Sequence, residues 1–228
     1  MTDDGSYRLL PKPIRVPPTL FSTSKTPGGK AGQLVSVPDD EDEGDAEIQD
    51  GPSHSEMQWR LLDLGSRLGF FIWTPVNDRG RIWDGKRLGD VRGMLSKLPN
   101  QFGAAAMRTI ERIDVLWVRG ESYLAGFEVE HTSTIYSGLL RMSDLVTMIP
   151  NIELKLYLAA PDIRAAKFAR EVIRPTFSQR SKPLHTVCRF LPYSNLLDKL
   201  EEVKNVLQHL RPEFLDDIAE VHAPTDGT

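Results

Sequence analysis

Apolar side chains along this 228-residue chain change their period several times, and each change marks an element. In SEMQWRLLDLGSRLG (55–69), Met57, Leu61, Leu64 and Leu68 recur at helical spacing; Ser55 suits the N-cap and Gly69 the C-terminal stop. FFIWTP (70–75) reads as a short strand, followed by VNDRGRIWDGKRLGD (76–90) as a polar loop and an unpatterned stretch to about Thr109. ERIDVLWV (111–118) and FEVEHT (127–132) read as two strands, and the intervening Arg119-Gly120-Glu121-Ser122 as a hairpin turn. Ile135, Leu139, Met142, Leu145 and Ile149 mark one side of a second helix that stops at Pro150-Asn151. ELKLYLAA (153–160) is almost continuously apolar, the pattern of a strand covered on both faces in mid-sheet. Residues 162–174 then read as helix, 184–191 as strand and 194–210 as amphipathic helix. This order predicts an α/β (α+β) fold: a mixed β-sheet flanked by helices.

The hairpin carries unusual chemistry. Side chains alternate across a strand, so Glu128 and Glu130 share a face while Phe127, Val129 and His131 take the other. A cooperating register adds Asp114 to the acidic face. Carboxylates on otherwise apolar strands repel one another and resist burial unless a cation or hydrogen-bond donors compensate them, and a hard cation such as Mg²⁺ meets that need. A zinc site finds no support, because one cysteine and scattered histidines offer no ligand spacing.

Composition sets the frame around this site. The net charge of −4 arises in the first 52 residues, which hold ten acidic and five basic side chains; the remainder carries 23 basic and 22 acidic, a balance that neither demands nor excludes nucleic acid. Residues 1–52, with PKPIRVPP and DDEDEGDAEIQD, have little to bury and read as a disordered or loosely docked arm. The ordered domain is expected over 53–193, with 194–221 as a C-terminal amphipathic helix and 222–228 as a disordered tail. Cys188 cannot form an internal disulfide and reads as a small buried apolar residue. With no apolar run of membrane-spanning length and no secretory signal pattern in MTDDGS, the expectation is a soluble cytoplasmic protein.

Together, Glu56 on the leading helix, Asp114 on the second strand and Glu128-Val129-Glu130 on the third, followed by a helix and a strand, resemble the PD-(D/E)XK nuclease superfamily with its restriction-endonuclease-like fold. The resemblance covers about residues 53–193. It implies that Asp114 and Glu128 bind Mg²⁺, with Mn²⁺ as a substitute, that Glu130 orients the attacking water, and that Glu56 supports metal or water. Glu130 stands where lysine is usual, giving the Glu-x-Glu form of the motif, and Ile113 replaces the proline before the first Asp. The strings FEVEHTSTIYSGLLRMSDL and SEMQWRLLDLGSRLG also resemble uncharacterised bacterial proteins of this superfamily, some of which are associated with restriction or other phage defence. The implied activity is endonucleolytic hydrolysis of DNA phosphodiesters, with RNA as a further substrate class. A homodimer and a partner protein of a defence system are the implied associations. The competing reading keeps the fold without the chemistry, as a subunit that binds nucleic acid or scaffolds a larger complex.

Phosphate contacts are expected from Arg141 on the second helix, from Ser133 and Thr134 at its N-terminus, and from Arg79 and Arg81 in the polar loop. For Arg141, pairing with Asp144 or snorkelling along the helix is an equal alternative. Trp83 suits stacking on a base, whereas Trp59, Trp73 and Trp117 read as core or interface. His54 reads as a neighbour of the first helix cap, and His131 as a structural histidine.

Overall fold

The computed structural model describes residues 51–131, 135–150, 152–202 and 211–223, together with the backbone of two short paired strands, β1 (Phe21–Ser22) and β2 (Leu34–Val35). The arm and the tail expected from composition lie almost wholly outside the described residues.

Helix α1 (His54–Arg67) ends shortly before the strand β3 (Phe71–Trp73) that it feeds. Its cap is Ser53 rather than Ser55: the Ser53 hydroxyl accepts the Glu56 N–H at 3.1 Å, in the spacing of a capping box with glutamate three residues on. The polar loop contains a two-residue hairpin, β4 (Ile82–Trp83) and β5 (Lys86–Arg87). Asp84 and Gly85 at its turn both have positive φ, 49° and 71°, as a primed turn requires. The unpatterned stretch supplies α2 (Ala104–Ile110). There follow β6 (Val115–Arg119), β7 (Ser122–Val129), α3 (Ile135–Met148) and β8 (Lys155–Ala160). The chain continues with α4 (Ala165–Val172), α5 (Pro175–Ser178), β9 (Cys188–Pro192), α6 (Tyr193–Glu202) and α7 (Phe214–Ile218). The expected strand at 184–191 begins late, because the segment after Pro183 forms a tight helical turn at Leu184–Thr186. Over 194–221 the described chain forms two helices rather than one, and the intervening 203–210 lie outside the described residues.

Five strands form one mixed sheet in the order β3-β6-β7-β8-β9, antiparallel across β3-β6-β7 and parallel across β7-β8-β9. This is the expected mixed sheet flanked by helices. As the continuous apolar run of β8 implied, that strand lies inside the sheet and is buried on both faces. One face packs α3 and α4 through residues such as Leu139, Met142, Leu158 and Phe168; the other packs α1 and α6 through Met57, Leu61, Phe127 and Leu196. Cys188 is buried beside Met142, and burial pushes its thiol pKa up, which suits an inert core residue.

Both outer strands are covered by backbone. Ile72 of β3 donates to Gly93 O and accepts from Leu95 N–H, each at 2.9 Å. Phe190 of β9 exchanges two hydrogen bonds with Glu220, at 3.0 and 2.7 Å. Asp216 of α7 fixes the C-terminal segment by accepting from Lys155 Nζ at 2.6 Å and Tyr157 OH at 2.7 Å, with Arg189 Nη1 at 3.1 Å.

Trp117 explains why α1 needs Gly65. Its fully buried indole donates to Leu61 O at 3.0 Å, and a Cβ on Gly65 would lie 2.4 Å from Trp117 Nε1. Gly65→Ala forces the indole or the helix to move, so we expect it to lose about 1–3 kcal/mol in urea unfolding. A change below about 0.5 kcal/mol, the size of an ordinary surface substitution, would refute this packing argument.

Candidate active site

β6 and β7 bring the acidic residues together through their register. Val115 pairs with Phe127, so continuing the antiparallel register by one residue puts Asp114 opposite Glu128 at the open end of the hairpin. Phe127 and Val129 point into the core under α1, which leaves Glu128 on the side of α3. Gly138 of α3 permits that approach: a Cβ there would lie 2.8 Å from Glu130 Oε1 and 3.4 Å from Glu128 Cβ.

Three carboxylates therefore sit at one end of the sheet in distinct environments. Asp114 Oδ2 accepts the Val129 N–H at 2.8 Å, which locks the aspartate to the third strand. Glu128 is fully buried, and Arg141 grips it with two hydrogen bonds, Nε to Oε1 at 3.0 Å and Nη2 to Oε2 at 2.5 Å. Glu130 donates its backbone N–H to Ala159 O at 2.9 Å, and its Oε1 lies 3.9 Å from Arg141 Nη2.

Their protonation follows from this crowding. Burial and then the Asp114 charge raise the Glu128 pKa well above the usual range, more than Arg141 brings it down. Burial first, and Asp114 second, push Glu130 up to about 7, against the opposing pull of Arg141 and His54. The paired Glu128 carboxylate holds the Arg141 guanidinium charged. Folded Glu130 thus binds its proton more tightly than the unfolded chain, whose value is near 4.5. Its contribution to stability is greatest in acid and falls as pH rises from about 4.5 to 7, by on the order of 3 kcal/mol. Urea unfolding of the metal-free protein across this range, compared with Glu130→Gln, tests it; equal slopes would remove the assignment.

The leading helix contributes differently from expectation. The Glu56 carboxylate pairs with Arg60 at 2.7 Å and makes no hydrogen bond or ion pair to Asp114, Glu128 or Glu130. His54 and Gln58 of α1 reach the site instead. His54 Nε2 lies 3.6 Å from Asp114 Oδ2, while its Nδ1 is 3.0 Å from Arg81 Nη1. Arginine can only donate, so His54 Nδ1 accepts and the proton sits on Nε2, facing Asp114. Gln58 is fully buried, and its Nε2, with two hydrogens to donate, lies 3.2 Å from each of three acceptors, Asp114 O, Thr74 Oγ1 and Asp78 Oδ2.

Arg81 is joined to the cluster through His54 and also pairs with Asp78 at 3.0 Å. Arg79 is not brought there: it donates to Leu95 O at 2.8 Å and covers the Trp73 ring at 4.6 Å. Trp83 packs on Trp59 at 5.1 Å, with Arg60 and Lys86 over its ring, so the surface expected to stack on a base already has protein neighbours. Arg141 is held by Glu128, and the Asp144 pair offered as an alternative is not formed. Ser133 and Thr134 lie outside the described residues. His131 is partly buried, and its Nδ1 has no hydrogen-bond partner. Tyr193, at the start of α6, was not singled out by the sequence; its hydroxyl is buried without a hydrogen-bond partner among the described residues.

The donor chemistry of Asp114, Glu128 and Glu130, three hard oxygen ligands with a surplus of negative charge, fits a divalent cation such as Mg²⁺ or Mn²⁺. Arg141 now supplies the compensating charge, and among the described residues no group of three Asp, Glu, His or Cys side chains forms a ready metal cage. No described helix is long and apolar enough to cross a membrane.

A family model described as the type II restriction enzyme NmeDI C-terminal domain matches residues 35–222 of the chain. The chain is also 30% identical over 167 residues to the type II restriction enzyme NmeDI of Neisseria meningitidis serogroup C. That alignment covers 70% of this chain and 45% of the relative, so the chain corresponds to less than half of the relative's length. No solved structure gives a significant match.

Proposed function

Because this chain belongs to the family of the type II restriction enzyme NmeDI C-terminal domain, we propose that it is a divalent-metal-dependent endonuclease that hydrolyses DNA phosphodiesters in restriction or phage defence. The observation that carries the proposal is the fully buried Glu128 carboxylate opposite Asp114 and next to Glu130 on one sheet end. Buried like charges are unfavourable to a fold and are retained where chemistry uses them. The three residues read as the Glu-x-Glu form of the PD-(D/E)XK motif.

In this reading Asp114 and Glu128 hold the metal, while Glu130 orients the attacking water. A divalent cation such as Mg²⁺ or Mn²⁺ held there would supply charge stabilisation for the phosphoryl group and lower the pKa of the attacking water. Gln58, Thr74 and the Val129 N–H fix the backbone and side chain of Asp114, so the first ligand is set before substrate arrives. Arg141 must yield at least one Glu128 oxygen for loading. Once released, its planar fork suits a phosphate oxygen of the incoming DNA. Arg81 and its hairpin lie on the side of His54 and add positive charge to the approach. A homodimer would let two such sites cut both strands.

One observation favours the other reading, a subunit that binds without cutting: Arg141 occupies both Glu128 oxygens. Cleavage assays on plasmid, linear duplex, single-stranded DNA and RNA, with Mg²⁺, Mn²⁺ or EDTA, separate the two. The nuclease requires metal-dependent cutting that Asp114→Ala abolishes. A folded wild-type protein that takes up no divalent metal and cuts none of these substrates would establish the binding reading.

A further inference from the structure

The β4–β5 hairpin is mounted so that one of its faces points away from the protein. Ile82 pairs with Arg87 and Trp83 with Lys86, so each pair shares a face of the ribbon and the two pairs take opposite faces. The Trp83–Lys86 face is turned onto α1: the Trp83 ring lies 5.1 Å from that of Trp59, and Lys86 Nζ lies 4.5 Å from the centre of the Trp59 ring. The other face is open. Ile82 is 61% exposed, Arg87 is exposed, and the Arg87 guanidinium makes no hydrogen bond or ion pair among the described residues. A ribbon of two-residue strands has little stability of its own. This one is also tied at its base, where the buried Leu88 donates its N–H to Arg81 O and Gly89 donates to Arg79 O, each at 3.0 Å. All of this mounting lies at the base and on the inner face, so Ile82 and Arg87 add nothing to it.

Position and charge indicate what meets the outer face. Arg81, next to Ile82, lies 3.0 Å from His54 Nδ1, and His54 Nε2 lies 3.6 Å from Asp114 Oδ2, so a single histidine separates the ribbon from the carboxylates. Residues 81–87 carry three cations, Arg81, Lys86 and Arg87, against one carboxylate, Asp84. A polyanion lying on the carboxylate end of the sheet passes this ribbon.

We infer that the outer face of β4–β5 enters the major groove of duplex DNA beside the cleavage site, and that Arg87 reads a guanine there. The inference rests on the nuclease reading above and adds to it the element that selects the sequence. The major groove admits a two-stranded ribbon, and guanine presents N7 and O6 as adjacent acceptors that match the planar fork of arginine. Ile82, beside Arg87 on the same face, supplies an apolar surface of the kind that packs on a thymine methyl. The Trp59–Trp83 stack holds the ribbon in place before DNA arrives, so less freedom is lost on binding.

Two selections from a pool of random-sequence duplexes test this: retention by the protein in Ca²⁺ and cleavage in Mg²⁺, each read by sequencing, for wild type, Arg87→Ala and Arg87→Lys. Arg87 is exposed, so both variants should keep the Tm of the wild type. The wild type should select a motif with at least one guanine whose preference falls at least about fivefold in Arg87→Ala, with the other positions unchanged. Arg87→Lys keeps the charge without the fork, so the guanine preference should stay lost while total duplex affinity and its salt dependence remain near wild type. A wild type without sequence preference, or a motif unchanged in Arg87→Ala, would overturn the inference and leave the nuclease reading in place. So would a loss of affinity spread evenly over all sequences that Arg87→Lys restores, which assigns Arg87 to the phosphate backbone. Dissociation of a dimer by Arg87→Ala with the motif intact would overturn it too, by making this face a contact between two copies. A wild type that cuts nothing but selects a guanine in Ca²⁺ that Arg87→Ala no longer prefers would support the readout and overturn the nuclease reading alone. A wild type that neither retains nor cuts any duplex would overturn both.

Discussion

Glu128→Gln is expected to reduce DNA hydrolysis by at least about 10²–10³-fold while making the metal-free protein more stable at pH 8. The two effects share one cause. The carboxylate has no solvent exposure, faces the Asp114 charge, and has its pKa raised by burial despite the Arg141 clamp. The neutral amide keeps the shape and removes the buried charge, which should stabilise the fold by about 1–2 kcal/mol. Arg141 tolerates the change because its side chain is 35% exposed and retains water as a partner. The same amide is a poor ligand for a hard dication, so the stabilisation by Mg²⁺ expected of the wild type should disappear in the variant. Single-turnover cleavage and urea unfolding with and without Mg²⁺ measure all three. Cleavage at the wild-type rate, or Mg²⁺ stabilisation that survives in the variant, would remove Glu128 from the metal site, and a metal-free variant less stable than wild type would mean that the Arg141 pair outweighs the buried charge.

Arg141→Ala should be the most destabilising single change at the site. Truncation takes away the two hydrogen bonds that hold Glu128 and leaves a fully buried carboxylate unpaired, at a cost of about 3 kcal/mol or more at pH 8. Folded Glu128 already has a raised pKa, so its contribution to stability is greatest in acid and falls as pH rises. Loss of Arg141 widens that window upward, and the cost of the variant therefore shrinks toward pH 5, where Glu128 takes up a proton. Adding Glu128→Gln should recover most of the loss, because the group left unpaired is then neutral. Equilibrium unfolding of the two single variants and the double variant at pH 5 and 8 completes the cycle. A loss below 1 kcal/mol at pH 8, or a double variant no better than Arg141→Ala, would mean that the clamp carries no structural weight.

The parts of this molecule that follow from periodicity were legible in the sequence. The helical spacing of Met57, Leu61 and Leu64, the alternation around Glu128, and the apolar run of β8 report burial directly, and the sheet follows from them. Asp-Gly at 84–85 was also a turn signal, yet the short strands beside it have no buried face and so no alternation to read. At the site, strand parity gave the shared face of Glu128 and Glu130, and hairpin register gave Asp114. Position along α1 could not be read in the same way. Glu56, Gln58 and His54 are all polar residues near one helix end, and which of them meets Asp114 depends on how α1 is rotated and tilted on the sheet. The acidic residue is the natural choice from composition, but an Arg four residues on at Arg60 holds it along the helix surface. The partnership of Arg141 with Glu128 was hidden for a related reason: it joins a helix to a strand 13 positions earlier, and local spacing offered only Asp144. Tyr193 gave no sequence signal, because a tyrosine at a strand-to-helix junction is ordinary until its hydroxyl is found without a hydrogen-bond partner among the described residues.

The coverage of both outer strands limits how two copies of this chain can meet. Gly93 to Leu95 occupy the free side of β3 at Ile72, and Glu220 occupies that of β9 at Phe190. At these two positions the described borders have no free amide or carbonyl with which one sheet could continue into another. An assembly built by extending the five strands across a two-fold axis into a ten-stranded sheet is therefore disfavoured, and pairing through helices or loops is left as the route to a dimer.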